Sequence, residues 1–325
     1  MNRRDFLAAG LVYPVVTPGY RFEFPRDHGA HANYRQEWWY VTGWLKTERG
    51  EDLGFQVTFF RARPDIDTAN PSSFTPRQVI LAHAALSDPR HGRLRHDERA
   101  ARTALGLAGS EAGTTRVWVD DWAFELKQDA YQVRIQARDF SFELQFDAKN
   151  KILLQGEQGF SRKGARQEEA SYYYSRPQLR VSGTANGSKV TGTAWLDHEW
   201  SSQYMAAQAA GWDWCGINLD DGGSLMAFRM RDAGGKTAFS PPGVAFEVLR
   251  KWKSPRTGTE YPVEVLVRTR ENELQLQPLM DDQELDGRAS TGTIYWEGAV
   301  RALKAGKQVG RGYLELTGYW RPMKL

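Results

Sequence analysis

Apolar and polar positions alternate along most of this chain with a period of two. The stretches EWWYVTGWLKT (37–47), DLGFQVTFFRAR (52–63), RVWVDDWAFELK (116–127), YQVRIQARD (131–139) and FSFELQFDA (140–148) show it in the first half. KVTGTAWLDHEW (189–200), SLMAFRMRD (224–232), YPVEVLVRTR (261–270), NELQLQPLM (272–280) and GYLELTGYW (312–320) show it in the second. All are rich in β-branched and aromatic residues and predict strands. Turn signals separate them: ERGED, ANGSK, DDGGS and DAGGK. Helical signals are few. TPRQVILAHAAL (75–86) and SSQYMAAQAAG (201–211) have good local helix propensity, and the first reads equally well as a strand. Many short strands at regular spacing predict an all-β fold of sandwiches or barrels. The best boundary follows DHEWSS. It divides the chain into a leader over residues 1–19, an N-terminal domain over 20–203 and a C-terminal domain over 204–325.

Composition narrows the function classes. The chain has 325 residues, of which 41% are hydrophobic and 26% charged, an ordinary globular balance. A net charge of +3 lacks the concentrated basic excess expected of a nucleic-acid partner. Twelve tryptophans suit aromatic-lined cavities. Cys215 is the single cysteine, which excludes an internal disulfide and a multi-cysteine zinc site. The start, MNRRDFLAAGLVYPVV, places Arg3-Arg4 before a short apolar run, as in a twin-arginine export signal, so a periplasmic or secreted location is expected. No run reaches the roughly eighteen apolar residues of a membrane helix.

Strand parity sorts the candidate chemistry. In AWLDHEWSS (194–202), Ala194, Leu196, His198 and Trp200 share one face, and Trp195, Asp197 and Glu199 the other. His198, among apolar neighbours, is an acid–base candidate; the plainer reading is a hydrogen-bonded core histidine. Asp213 in GWDWCGINL shares a face with Cys215 and Ile217, where a desolvated carboxyl group would be a general acid. Its plainer reading is a turn aspartate after Gly211. Glu37 shares a face with Trp39. His28 and His31 have H-x-x-H spacing, and with His83 and His198 they are the residues from which a metal site could be built. No metal motif such as H-E-x-x-H is present, and none is expected. Nucleophile-elbow, P-loop and dinucleotide fingerprints are absent. Cys215, beside Trp214, reads as inert.

The stretches DHGAHANYRQEWWYVTGWL, GFQVTFFR, LAHAALSD, GTAWLDHEWSS, GWDWCGINLDDG and GRGYLELTGYW, in this order, resemble the carotenoid 1,2-hydratase (hydroxyneurosporene synthase) and AttH-like family. The resemblance implies two tandem lipocalin-like antiparallel β-barrels. It implies a branch that adds water to an isoprenoid double bond without a redox cofactor, and other members associated with ABC transporters or described as secreted hydrolases. A His-x-Trp pair is implicated in the hydratase branch, and His198 and Trp200 match it. That branch also uses an aspartate after an aromatic residue, and Asp213 is the best match. The expected function is therefore a cofactor-independent hydratase acting on a hydrophobic isoprenoid or lipid-like molecule. Asp213 is the expected acid, His198 the base, and Trp200, Trp39 and Trp214 the aromatic faces for the cation. Asp197, Glu199, Glu37 and His83 would line or support the site. One alternative is a periplasmic binding protein that serves an ABC transporter; another is a secreted metal-dependent hydrolase.

Overall fold

The computed structural model describes residues 13–64, 72 and 75–323. The first sheet holds β1 (Gln36–Thr47), β2 (Asp52–Ala62), β3 (Val79–Ser87), β4 (Arg95–Arg102), β5 (Ala108–Ser110), β6 (Arg116–Val119), β7 (Trp122–Lys127), β8 (Ala130–Gln136), β9 (Ser141–Asp147), β10 (Leu153–Leu154), β11 (Phe160–Arg162), β12 (Ala170–Ala185) and β13 (Ser188–Gln203). The second holds β14 (Gly211–Leu219), β15 (Ser224–Arg231), β16 (Thr237–Phe239), β17 (Ala245–Lys253), β18 (Glu260–Arg268), β19 (Glu273–Pro278), β20 (Glu284–Gly287), β21 (Thr293–Lys304) and β22 (Lys307–Leu316). Every pairing is antiparallel. The first sheet runs β4-β3-β2-β1-β13-β12-β9-β8-β7-β6-β5, and its two ends return beside each other, so it forms a nearly closed barrel. The second runs β16-β15-β14-β22-β21-β19-β18-β17 and forms a half-barrel. The architecture is all-β, two lipocalin-like barrels. Among the described residues no helix is long and apolar enough to cross a membrane.

Local chemistry explains the connections. Asn186 and Gly187 both take positive φ (49° and 76°) between the paired Ala185 and Ser188. That is the two-residue turn whose twist matches a hairpin, and an Asn-Gly pair adopts it at little cost. The two segments with helix propensity are not helices. Residues 79–87 form β3, where Val79, Ile80 and Leu81 suit the pleat and β2 and β4 pair on either side. Residues 201–203 extend β13, and 204–210 form an irregular link in which Tyr204, Ala206 and Ala210 are buried. Burying those side chains outweighs local propensity.

Burial patterns show where the sheets meet. β8 and β9 alternate cleanly between buried and exposed, so one face packs inside the barrel and the other meets water. β1 and β13 are buried on both faces along much of their length. Their inner faces, with Trp39, Val41, Leu196 and Trp200, join the barrel core. Their outer faces, with Tyr40, Trp44 and Trp195, pack on Trp214, Phe228, Ala299 and Tyr313 of the half-barrel. The half-barrel keeps its own core around Ile217, Val263 and Trp296.

Of the segment read as a leader, residues 1–12 lie outside the described residues. Within its remainder, Val16 is buried in the barrel core and Thr17 N donates to Tyr172 Oη at 3.0 Å.

Candidate functional site

Parity divides the ionisable residues of β1 and β13 between two places. The first is the barrel interior. Trp39 pairs with His198 across the strands, and Glu37 with Trp200. Glu37 is fully buried. Its Oε1 accepts from His31 Nδ1 at 2.8 Å and His198 Nε2 at 2.9 Å, and its Oε2 from Arg61 Nε at 2.8 Å and His31 N at 2.9 Å. His31 also reaches Asp27 Oδ1 at 3.2 Å, and Trp200 stacks on its ring at 3.6 Å. Burial opposes the charge on Glu37, but Arg61 and His31 hold its carboxyl well below the ordinary range. Burial lowers the pKa of His198, so the ring is neutral.

His31, Glu37 and His198 offer ligand atoms within 4.8 Å of one another, a two-histidine, one-carboxylate composition that metals use. Here Oε1 already accepts from His31 N, His31 Nδ1 and His198 Nε2, and Oε2 from His31 N and the Arg61 guanidinium. The geometry is that of a fully hydrogen-bonded carboxylate rather than an open ligand set.

The second place is a cavity of about 320 Å³ between the two sheets. Trp38, Phe60, Tyr204, Trp212 and Trp214 give it aromatic walls. Asp197 and Glu199 enter from β13, and Glu315 from β22. Glu297 of β21 stands directly across the strand pair from Glu315. Four carboxyl groups thus gather, three of them on buried residues and the fourth on the half-buried Glu315.

They differ in their partners. Glu199 is paired with the buried Lys163, Nζ to Oε1 at 2.9 Å, and the ammonium sits 4.1 Å from the Phe228 ring centroid. Asp197 accepts at both oxygens: Trp195 Nε1 at 2.7 Å and Ser175 Oγ on Oδ1, and Tyr173 Oη at 2.7 Å on Oδ2. Trp214 Nε1 donates to that phenol at 3.1 Å. Glu315 Oε2 accepts Trp212 Nε1 at 2.7 Å, and Tyr40 Oη donates to Glu297 Oε1. Among the described residues, no basic side chain lies within ion-pair distance of Asp197, Glu297 or Glu315. Burial therefore governs. It pushes Asp197 up to about 7 against its hydrogen bonds, and Glu315 to about 7 with help from the charges of Asp197 and Glu199. Glu297 is raised well above the ordinary range by burial and by Glu315. Burial and the neighbouring carboxyl charges both oppose ionisation, so they favour the protonated forms of these groups towards neutral pH.

The residues singled out from sequence are therefore dispersed. Asp197, Glu199, Trp214 and His83 border the cavity. Glu37 borders it too, but its carboxylate belongs to the barrel network. His198, Trp39 and Trp200 lie in the barrel interior. Asp213 sits on the far face of β14 among the half-barrel's core residues. Arg229 Nε and Arg231 Nε each donate to it at 2.7 Å, and Tyr319 Oη at 3.0 Å. The expectation of a free, desolvated acid there is not met, because two guanidinium groups neutralise the carboxylate. Neither His198 nor Asp213 reaches the cavity. Burial pushes the Cys215 thiol up to about 12, which agrees with an inert reading.

Glu315, Glu297, Tyr173 and Lys163 were not singled out from sequence. Glu297 in YWEGA and Glu315 in LEL each break an otherwise apolar strand. Read as single-sided alternation, such a position is assigned to water. Here Glu297 is buried and Glu315 half-buried because the first sheet covers that face.

Two lipocalin-like barrels with an acidic, aromatic cavity at their junction define the class. The chain belongs to the AttH-like family, whose profile matches residues 15–319. It is similar to an AttH protein of Nitrosomonas europaea whose crystal structure is known, with 49% identity, a TM-score of 0.88, and coverage of 95% of this chain and 100% of that one. Kievitone hydratase of Nectria haematococca shares the fold at 14% identity and a TM-score of 0.65, over 96% of each chain. No curated protein sequence matches the chain.

Proposed function

We propose that this protein is a cofactor-independent, hydratase-like enzyme that adds water to a carbon–carbon double bond of a short isoprenoid or lipid-like molecule held between the two sheets. The observation that carries this reading is the combination of aromatic walls with two carboxyl groups, Asp197 and Glu315, each pushed up to about 7 by burial. At neutral pH such groups are shared between acid and base forms, as acid–base catalysis requires.

Their partners suggest the roles. Asp197 has donors on both oxygens and is built to accept a proton. Glu315 has Trp212 on one oxygen, which favours it as the donor. Glu315 protonates one alkene carbon, and a tertiary cation develops at the other. The faces of Trp38, Trp212 and Trp214 stabilise the cation, each by about 1–2 kcal/mol in a dry site. Water adds to the cation and passes its proton to Asp197. The product has gained one hydrogen from Glu315 and one hydroxyl from water.

The volume bears on the substrate. About 320 Å³ lies at the low end of the ~300–1,000 Å³ range of drug-sized pockets. We infer a short substrate rather than a full-length carotenoid. From the Arg3-Arg4 motif and the short apolar run after it we propose a periplasmic location for the reaction. A carrier serving an ABC transporter would need the aromatic walls but not carboxyl groups held near neutrality, and this favours the enzyme. The test is to incubate the protein with geraniol or farnesol in heavy-oxygen water. A hydrated product carrying the label is expected, at a rate that Glu315→Gln lowers ~10²–10⁴-fold. Binding of these alcohols with no incorporation contradicts the reading.

A further inference from the structure

One wall of the cavity carries polar groups that the hydration steps leave unassigned. His83 of β3 is fully buried and borders the cavity together with Tyr295 of β21 and Ser290, three residues before that strand. Both ring nitrogens are hydrogen-bonded, Nδ1 to Tyr295 Oη at 2.7 Å and Nε2 to Ser290 Oγ at 2.7 Å. Ser290 Oγ also meets Glu98 Oε2 of β4, and Ser290 N donates to the same oxygen at 3.1 Å. The ring has little room to move: a Cβ on Gly287 would lie 2.8 Å from His83 Cε1.

Donor counting orients the chain. A serine hydroxyl has one proton, and a carboxylate only accepts. Of the two acceptors it meets, Glu98 Oε2 is far nearer than Gly287 O at 3.4 Å, so Ser290 donates to Glu98 and accepts from His83 Nε2–H. That leaves His83 Nδ1 to accept from the Tyr295 hydroxyl. Burial lowers the pKa of His83 to about 3, in keeping with a neutral ring that has one donor and one acceptor nitrogen. Every donor points the same way, from Tyr295 through His83 and Ser290 to Glu98. Tyr295 stands at the cavity, and the Glu98 side chain is 18% exposed. The chain crosses between the sheets, with Tyr295 and Ser290 on one side and His83 and Glu98 on the other.

We propose that Tyr295, His83, Ser290 and Glu98 form a proton relay between the cavity and the surface. In an outward transfer, Tyr295 Oη takes a proton from the cavity and gives its own to His83 Nδ1. His83 gives its Nε2 proton to Ser290 Oγ, and Ser290 gives its proton to Glu98, which releases it to solvent. Tyr295, His83 and Ser290 end neutral, with His83 as the other tautomer, and an inward transfer reverses each step. The role assigned to the relay rests on the hydratase reading: after water addition, Asp197 holds a proton and Glu315 lacks one. One outward and one inward transfer reset both groups.

The test needs no substrate, so its failure is distinguishable from failure of the hydratase reading. The full chain is labelled with nitrogen-15 histidine, and His83→Gln assigns the His83 signal. The expected result is an Nε2–H tautomer whose ring proton exchanges with solvent despite complete burial. In Ser290→Ala and in Glu98→Gln that exchange should slow at least about tenfold, with the other histidine signals unchanged. Glu98→Gln keeps the side-chain shape and decides the matter if Ser290→Ala does not fold. A proton on Nδ1, or equal exchange rates in wild type and Glu98→Gln, overturns the relay and leaves a structural hydrogen-bond chain.

Discussion

At the scale of single residues, the same side chain takes opposite character in two settings. Glu37 is a fully buried glutamate and Glu315 a half-buried one. Glu37 faces Arg61 and two histidines and is held as a carboxylate. Glu315 faces other carboxyl groups and is held near neutrality. The linkage to stability therefore runs in opposite directions. Glu37 has a lowered folded value, so its contribution is present above the unfolded carboxyl value of about 4 and is lost as pH falls below it. Asp197 and Glu315 have raised folded values, so their contribution is full below about 4 and is lost as pH rises through about 7. Urea unfolding across this range should show stability declining between about pH 4 and 7 from these two groups. Glu315→Gln should flatten that decline. A decline of unchanged slope in the variant would assign it to other groups.

At the scale of the element, β13 carries both settings on alternate residues. Asp197 and Glu199 face the cavity, and His198 and Trp200 face the barrel core. Substitutions should therefore alternate in effect. Asp197→Asn should cost turnover, ~10²-fold or more, with a small change in melting temperature. His198→Ala should remove a buried partner of Glu37 and cost about 2–4 kcal/mol of stability, with turnover largely kept once the protein is folded. Parallel melting curves and rate measurements check this. Equal loss of turnover in both variants would mean that the barrel network takes part in the chemistry.

This alternation was legible in the sequence; its direction was not. Parity separates His198 from Asp197, and the Asn-Gly hairpin and the β-rich pattern are equally plain. Yet a polar face of a strand is read as the wet face. Here the faces bearing Asp197, Glu199, Glu297 and Glu315 are covered, because the opposite sheet lies over them. No periodicity within one strand reports that contact. Asp213 misled for the same reason: its apolar parity was right, but Arg229 and Arg231, brought alongside by β15, are invisible in the local pattern.

At the scale of the whole molecule, the site belongs to neither barrel alone. The nearly closed barrel contributes Asp197, Glu199 and Tyr173 from its outer wall, and the half-barrel contributes Glu315, Trp212 and Trp214, with Glu297 beside Glu315 on the next strand. Tyr40 joins the two directly through Glu297, and Trp44 Nε1 donates to Gly312 O across the junction at 2.9 Å. The close approach is built in at Gly54, where a Cβ would lie 2.5 Å from Ala299 Cβ. Coupling between carboxyl groups on opposite sheets is thus the signature of the assembled cavity. A carbon-13 NMR titration of the glutamate side chains, with Glu315→Gln assigning the signal, measures it directly. Glu315 should titrate with a midpoint about 7 in the wild type. That midpoint should fall in Asp197→Asn, because a charge that opposes ionisation has been removed. A wild-type midpoint at the ordinary glutamate value of about 4.3 would contradict the account, for the cavity would then hold no acid at neutral pH.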